Sequence, residues 1–172
     1  MFLEIPDGQH PIYYVWGTIV PGIGPAAAQF SAAVYEHSTL ELETFEAARL
    51  RMAQINGCLF CLDWRTDRDG EMVAGDFADR VANWRGEAAD GTSPLSLRAQ
   101  LAAEYTERWA TDHHGIDADL WARLRDQFTD PELVELTMCL GSWLAFGRLN
   151  HVFGLDAACT LPGHGPGTGA VA

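Results

Sequence analysis

The chain predicts an all-α fold, about six to eight helices in one domain, and three observations carry that expectation. From Pro25 onward, apolar residues recur at three- and four-residue spacing in segment after segment, the period of a helix with one buried face. Outside the first 24 residues, no stretch alternates apolar with polar residues as a half-buried strand does. Helix punctuation brackets the periodic runs: Thr129-Asp-Pro-Glu132 is a capping box with proline in the first turn, and Asn56-Gly57 supplies a left-handed terminator. There is no internal repeat, and 172 residues suffice for one well-buried core but not for two ordinary domains.

Residues 1–24 hold Pro6, Pro11, Pro21 and Gly22 around Ile12-Tyr13-Tyr14-Val15-Trp16. Such proline spacing forbids a long helix, so the expectation is an apolar extended arm. Five exposed hydrophobes in a row would be a liability unless that arm packs on the body or on a neighbouring subunit. A domain over 25–159 follows. Pro25 opens a helix to about His37, with Ala28, Ala32 and Tyr35 at helical spacing. A second helix is expected from Ser38 or Thr39 to Asn56, with Glu41 and Glu43 in its first turn and Leu42, Phe45, Met52 and Ile55 on its core face. Glu46 shares an adjoining stripe with Leu50 and Ala53, which predicts a partly buried carboxylate.

A third helix is expected from Cys58 to Asp69 or Gly70, reversing at 56–58 to make a central antiparallel helix pair. Short helical pieces around 76–84 and an exposed loop from Gly86 to Ser93 precede two amphipathic helices. Their stripes are Leu97, Leu101, Tyr105 and Trp109, then Leu120, Leu124 and Phe128. The most apolar helix runs from about Asp130 to Phe153 and must be covered nearly all round, by its own domain or another subunit. It is no membrane span, because its uninterrupted apolar centre is shorter than the roughly 20 residues a bilayer needs. Residues 160–172, TLPGHGPGTGAVA, are expected to be a disordered tail.

Composition removes whole classes of function. All eleven basic residues are arginine, which excludes Schiff-base chemistry and a phosphate-cradling lysine. A net charge of −13 would repel a nucleic-acid backbone. Glu4 and Asp7 stand where a signal peptide needs basic residues, so the expected compartment is a reducing cytoplasm. Four cysteines there are not a disulfide framework. Cys139 lies in an apolar helical run and reads as a small core residue. His113 and His114 point about 100° apart with no further ligand at metal spacing, so no metal is expected.

The chemistry concentrates in EAARLRMAQINGCLFCLDWR, residues 46–65. Cys58 and Cys61 would share a helical face, where two thiols can close a disulfide, bind half a metal site or simply pack. Arg65 stands four residues after Cys61, and Glu46 lies about ten residues before the turn, within reach from the partner helix. A structural Glu46–Arg65 ion pair beneath two unreactive thiols is the alternative reading.

Glu46, eleven residues, Cys58, two residues, Cys61, with Arg51, Ala53-Gln54 and Asn56-Gly57 around them, resembles the signature of the alkylhydroperoxidase D and carboxymuconolactone decarboxylase superfamily. Leu133-Val-Glu-Leu136, Arg148-Leu-Asn150 and Gly154-Leu155 are similar to that family's closing helix, so the resemblance spans roughly 25–156. It implies an AhpD-like helical domain, a thiol peroxidase or disulfide reductase in antioxidant defence, assembled as a homotrimer or homohexamer without cofactor or metal. By that resemblance Cys61 attacks a peroxide, Cys58 resolves the sulfenic acid as a disulfide, and Glu46 relays the proton. A hydroperoxide or other small molecule would be the substrate and a dithiol, such as a lipoyl group, the reductant. The chain departs from the family at Arg65, where its peroxidases carry histidine, and at Phe60. Arginine can stabilise a thiolate but cannot shuttle protons. A redox-sensing or binding homologue, with Arg65 locking Glu46, is therefore a second reading, and a decarboxylase of a cyclic lactone acid a third.

Overall fold

The computed structural model describes residues 2–86 and 94–155. The expected tail, Cys159 and most of the 86–93 loop lie outside them. Eight α-helices occur in the described residues: α1 Pro11–Tyr13, α2 Gly24–Glu36, α3 Leu42–Asn56, α4 Leu59–Asp63, α5 Phe77–Ala82, α6 Leu97–Thr111, α7 Ala118–Gln127 and α8 Asp130–Val152. The fold is all-α, and among the described residues the nearest thing to β structure is one bridge between Arg68 and Glu71.

The helix α3 is the axis of the molecule. It packs against α6 and α8 over most of its length, and against α4 and α5 on its remaining sides. Phe45, Ala48 and Met52 face a core shared with Leu101, Tyr105, Leu124, Leu136 and Trp143, while Ala47 and Leu50 face a second core with Phe77, Val81 and Trp84. Every residue from Thr44 to Leu50 is buried. Leu42 and Ile55, expected on the core face, are only half-buried because they lie at the two ends of this sandwich.

Local chemistry sets the ends. The Thr129 hydroxyl accepts from the Glu132 amide while the Glu132 carboxylate accepts from the Thr129 amide, the reciprocal box the sequence predicts. Ser96 and Asp117 cap α6 and α7 one way only, their side chains accepting from the Ala99 and Leu120 amides. Gly57 closes α3 at φ 67°, a left-handed conformation that lets the Cys58 amide turn back to the Ala53 carbonyl at 3.0 Å.

Two expectations are corrected. The N-terminal arm is not extended throughout: α1 runs into a π-helical turn, Tyr14–Ile19. Pro11 occupies the first helical position, where its missing N–H costs nothing, and the next proline comes only at Pro21. The arm packs on the end of α8, where Trp16 Nε1 donates to Asn150 Oδ1 at 3.1 Å and the Trp16 ring lies 4.8 Å from that of Phe146. The helix α3 begins later than Ser38 or Thr39, because those residues are drawn to α8. Ser38 Oγ, Thr39 Oγ1 and the Thr39 and Leu40 amides all donate to the Glu135 carboxylate. Burial alone would raise the Glu135 pKa, but these donors outweigh it and hold the carboxyl below its usual range. Within the chain α8 keeps an open face, with Val134 and Met138 56% and 59% exposed.

Candidate functional site

The Gly57 turn delivers Cys58 as the N-cap of α4 and Cys61 one turn later, and the two are joined by a disulfide with Cα atoms 5.3 Å apart. Cys58 is buried at 4% exposure and Cys61 is half-buried. The Cys58 sulfur accepts from the Cys61 amide at 3.3 Å. That bond would favour a Cys58 thiolate as the group released when the disulfide opens. Cys139, the other described cysteine, is buried 2% exposed in the main core, and burial pushes its thiol up to about 12. It is inert packing, as its apolar setting in the sequence suggested.

The expected third helix ends at Asp63 rather than near Gly70, with Trp64 extended at ψ 146°. The cause is tertiary. Arg49, on α3 and 2% exposed, reaches across and donates from Nη1 to the Cys61 carbonyl at 2.6 Å and from Nη2 to the Trp64 carbonyl at 2.7 Å. Its guanidinium also sits 4.9 Å from the Trp64 ring centroid. The carbonyls that would have continued α4 are thus satisfied by a buried cation.

Glu46 is fully buried, and its carboxylate belongs to Arg49. Arg49 Nε donates to Oε1 at 2.5 Å and Nη2 to Oε2 at 2.8 Å, a bidentate pair, while Thr66 Oγ1 donates to Oε1 at 2.6 Å. Burial, the largest single influence, would lower the Arg49 pKa, yet the Glu46 charge and its hydrogen bonds together more than offset it and the pKa is raised. The Glu46–Arg65 ion pair of the alternative reading does not form. With α4 ended at Asp63, Arg65 leaves the Cys58–Cys61 stripe and turns back to donate from Nη1 to the Leu62 and Trp64 carbonyls. Burial, then the nearby Arg49 charge, push its pKa down from the ordinary arginine value.

Arg49 is the residue that sequence reasoning missed. Its signal was present, since an arginine three residues after a buried glutamate on one helix lies on the same face. Tyr35 was assigned only to packing, and it too stands at the site: its ring makes edge contacts with Phe45 and Trp64, and burial pushes its hydroxyl up to about 12. His113 and His114 sit on an exposed 3₁₀ turn.

The disulfide opens on a cavity of about 330 Å³ between α2, α3, α4, α8 and the N-terminal turn. Trp16, Tyr35, Trp64, Trp143 and Phe146 give its wall an aromatic character, and Cys58 and Cys61 both lie in that wall.

No protein-family model matches this chain. The uncharacterised protein YdfG of Bacillus subtilis (strain 168) is 24% identical over 126 residues, covering 72% of this chain and 82% of that relative. Among solved structures, a protein of unknown function from Agrobacterium tumefaciens, described as a candidate antioxidant defence protein AhpD, superposes with a TM-score of 0.64 at 23% identity. The match covers 81% of this chain and 92% of that one. Likeness at this level concerns the fold, and the fold of this chain is the AhpD-like helical domain with a Cys-x-x-C pair at its central turn.

Proposed function

We propose that the protein is a thiol–disulfide oxidoreductase whose Cys58–Cys61 pair reduces organic hydroperoxides and is re-reduced by a dithiol. The observation that carries this reading is the pair itself, a disulfide in the wall of an apolar cavity, with its more exposed sulfur on Cys61. In the reduced protein the Cys61 thiolate attacks the terminal peroxide oxygen. The O–O bond breaks, the alkoxide leaves and takes a proton to become the alcohol, and Cys61 becomes a sulfenic acid. The Cys58 thiol then displaces water, forming the disulfide. A dithiol, of lipoyl type by family resemblance, attacks the half-buried Cys61 sulfur and releases the Cys58 thiolate to the amide that already donates to it; its second thiol then displaces Cys61 from the mixed disulfide, and the dithiol leaves oxidised as a cyclic disulfide.

Protonation is the slow part. Arg49 and Arg65 keep their protons and both Glu46 oxygens are engaged by Arg49 and Thr66, so neither guanidinium nor carboxylate relays a proton. Glu46 therefore acts by holding Arg49, which positions the Cys61 backbone, and water supplies the alkoxide proton. This same observation favours the second reading, a slow, sensor-like redox protein, over a fast peroxidase. The exposed Val134–Met138 face of α8 is read as the contact of a homo-oligomer, trimeric or hexameric.

The test uses reduced protein, cumene hydroperoxide and a sulfenic acid trap. Cys58→Ser should stop at a trappable sulfenic acid on Cys61, while Cys61→Ser should not react. A reactive Cys61→Ser variant would assign the attack to Cys58, and inert wild-type thiols would remove the peroxidase reading.

A further inference from the structure

The cavity carries information about its ligand that the redox pair does not. Among the described residues of its wall the sole charged side chain is Arg49. That guanidinium is matched by the Glu46 carboxylate and tied to two backbone carbonyls. An anion entering the cavity finds no unspent cation and a chain of net charge −13, while a cation meets a buried arginine with no free carboxylate. Size is bounded as well. An engineered protein cavity of about 150 Å³ takes one benzene. About 330 Å³ accommodates roughly twice that, a two-ring or similarly bulky apolar body.

The remaining wall is the N-terminal turn. Ile12, Tyr13 and Trp16 face the cavity from α1 and the π-helical turn that follows it. Isolated π-helical turns cluster at functional positions. Two features hold this turn in register: the Trp16–Asn150 hydrogen bond and Gly24, where a Cβ would lie 1.3 Å from the Trp16 carbonyl oxygen.

We infer that the cavity is a binding site for uncharged molecules with a bulky aromatic or alicyclic body, and that Trp16 on the N-terminal turn is a residue that sets their fit. The inference rests on the reading that substrate meets the disulfide in this cavity, but it concerns binding and stands independently of peroxide turnover. Two fluorescent probes that share a two-ring body and differ in one charge separate the cases: neutral dansyl amide and its anionic relative dansyl sulfonate. They are titrated into the full oxidised chain with no hydroperoxide present. The neutral probe should bind saturably, and the sulfonate on the order of tenfold or more weaker. Ala28→Phe, at an exposed position on the cavity rim, should abolish saturable binding without disturbing the core. Trp16→Ala should weaken the neutral probe on the order of tenfold, through the lost ring contact with Phe146 and the lost wall. Equal binding of the two probes, or no saturable binding of the neutral one, would overturn the ligand class. Unchanged binding in Ala28→Phe would overturn the cavity as the site, and unchanged binding in Trp16→Ala would overturn the role of the turn.

Discussion

At the residue scale the site hangs on Arg49. A buried ion pair contributes little net stability when intact, but removing one partner strands the other charge in a low-dielectric interior. Arg49→Met should therefore cost about 3–5 kcal/mol in urea unfolding, because it strands Glu46 and frees the Cys61 and Trp64 carbonyls. Arg65→Met should cost about 1 kcal/mol, since Arg65 gives up only contacts to local carbonyls. Comparable losses in the two variants would contradict the assignment of Glu46 to Arg49. Away from the site, Glu107 makes the clearest pH prediction. Hydrogen bonds from Arg85, then Arg51 and Trp84, lower its carboxyl to about 2 against the opposing effect of burial. Its folded pKa lies below its unfolded one, so its contribution is complete above the ordinary carboxylate range and is lost as pH falls toward 2. Glu107→Gln should lower stability by about 2 kcal/mol at neutral pH and by much less near pH 2, read from urea midpoints at the two pH values.

At the element scale two glycines hold the architecture in place. Gly57→Ala puts a Cβ at φ 67° and should cost about 1–2 kcal/mol while leaving the disulfide able to form, checked by thermal unfolding and thiol titration. Gly24→Ala should displace the N-terminal turn, because the new methyl would occupy the Trp16 carbonyl, and limited proteolysis between 11 and 23 should accelerate. The helices were largely legible in the sequence because their signals are local: the capping box of α8, the Gly57 stop and the stripe Leu120, Leu124, Phe128 each lie within a few residues. What escaped is decided by partners far along the chain. The early end of α4 depends on Arg49, the late start of α3 on Glu135, and the winding of residues 11–19 on the α8 surface that receives Trp16. The candidate site was legible as Cys58, Cys61 and Glu46. Its wiring was not, since the glutamate found its arginine one turn along its own helix and Arg65 was left to turn back on α4.

At the scale of the whole molecule, α3 carries the paired charges that anchor α4, α8 receives the N-terminal turn, and between them lies the cavity into which both cysteines open. Sequence reasoning reached the fold class because helix periodicity pervades the chain, but a cavity bounded by five separated segments leaves no periodic trace. The Cys58–Cys61 pair is proposed to exchange two electrons with an organic hydroperoxide within one chain. The direct measurement is a single turnover of the fully reduced protein, with Cys139 and Cys159 replaced by alanine, against one equivalent of cumene hydroperoxide. Thiols, alcohol product and chain mass are followed together. Each chain should lose two thiols and two hydrogen atoms, yield one cumyl alcohol and form no cross-link to another chain. Thiols that persist with the hydroperoxide unconsumed, or a disulfide that links two chains, would contradict it.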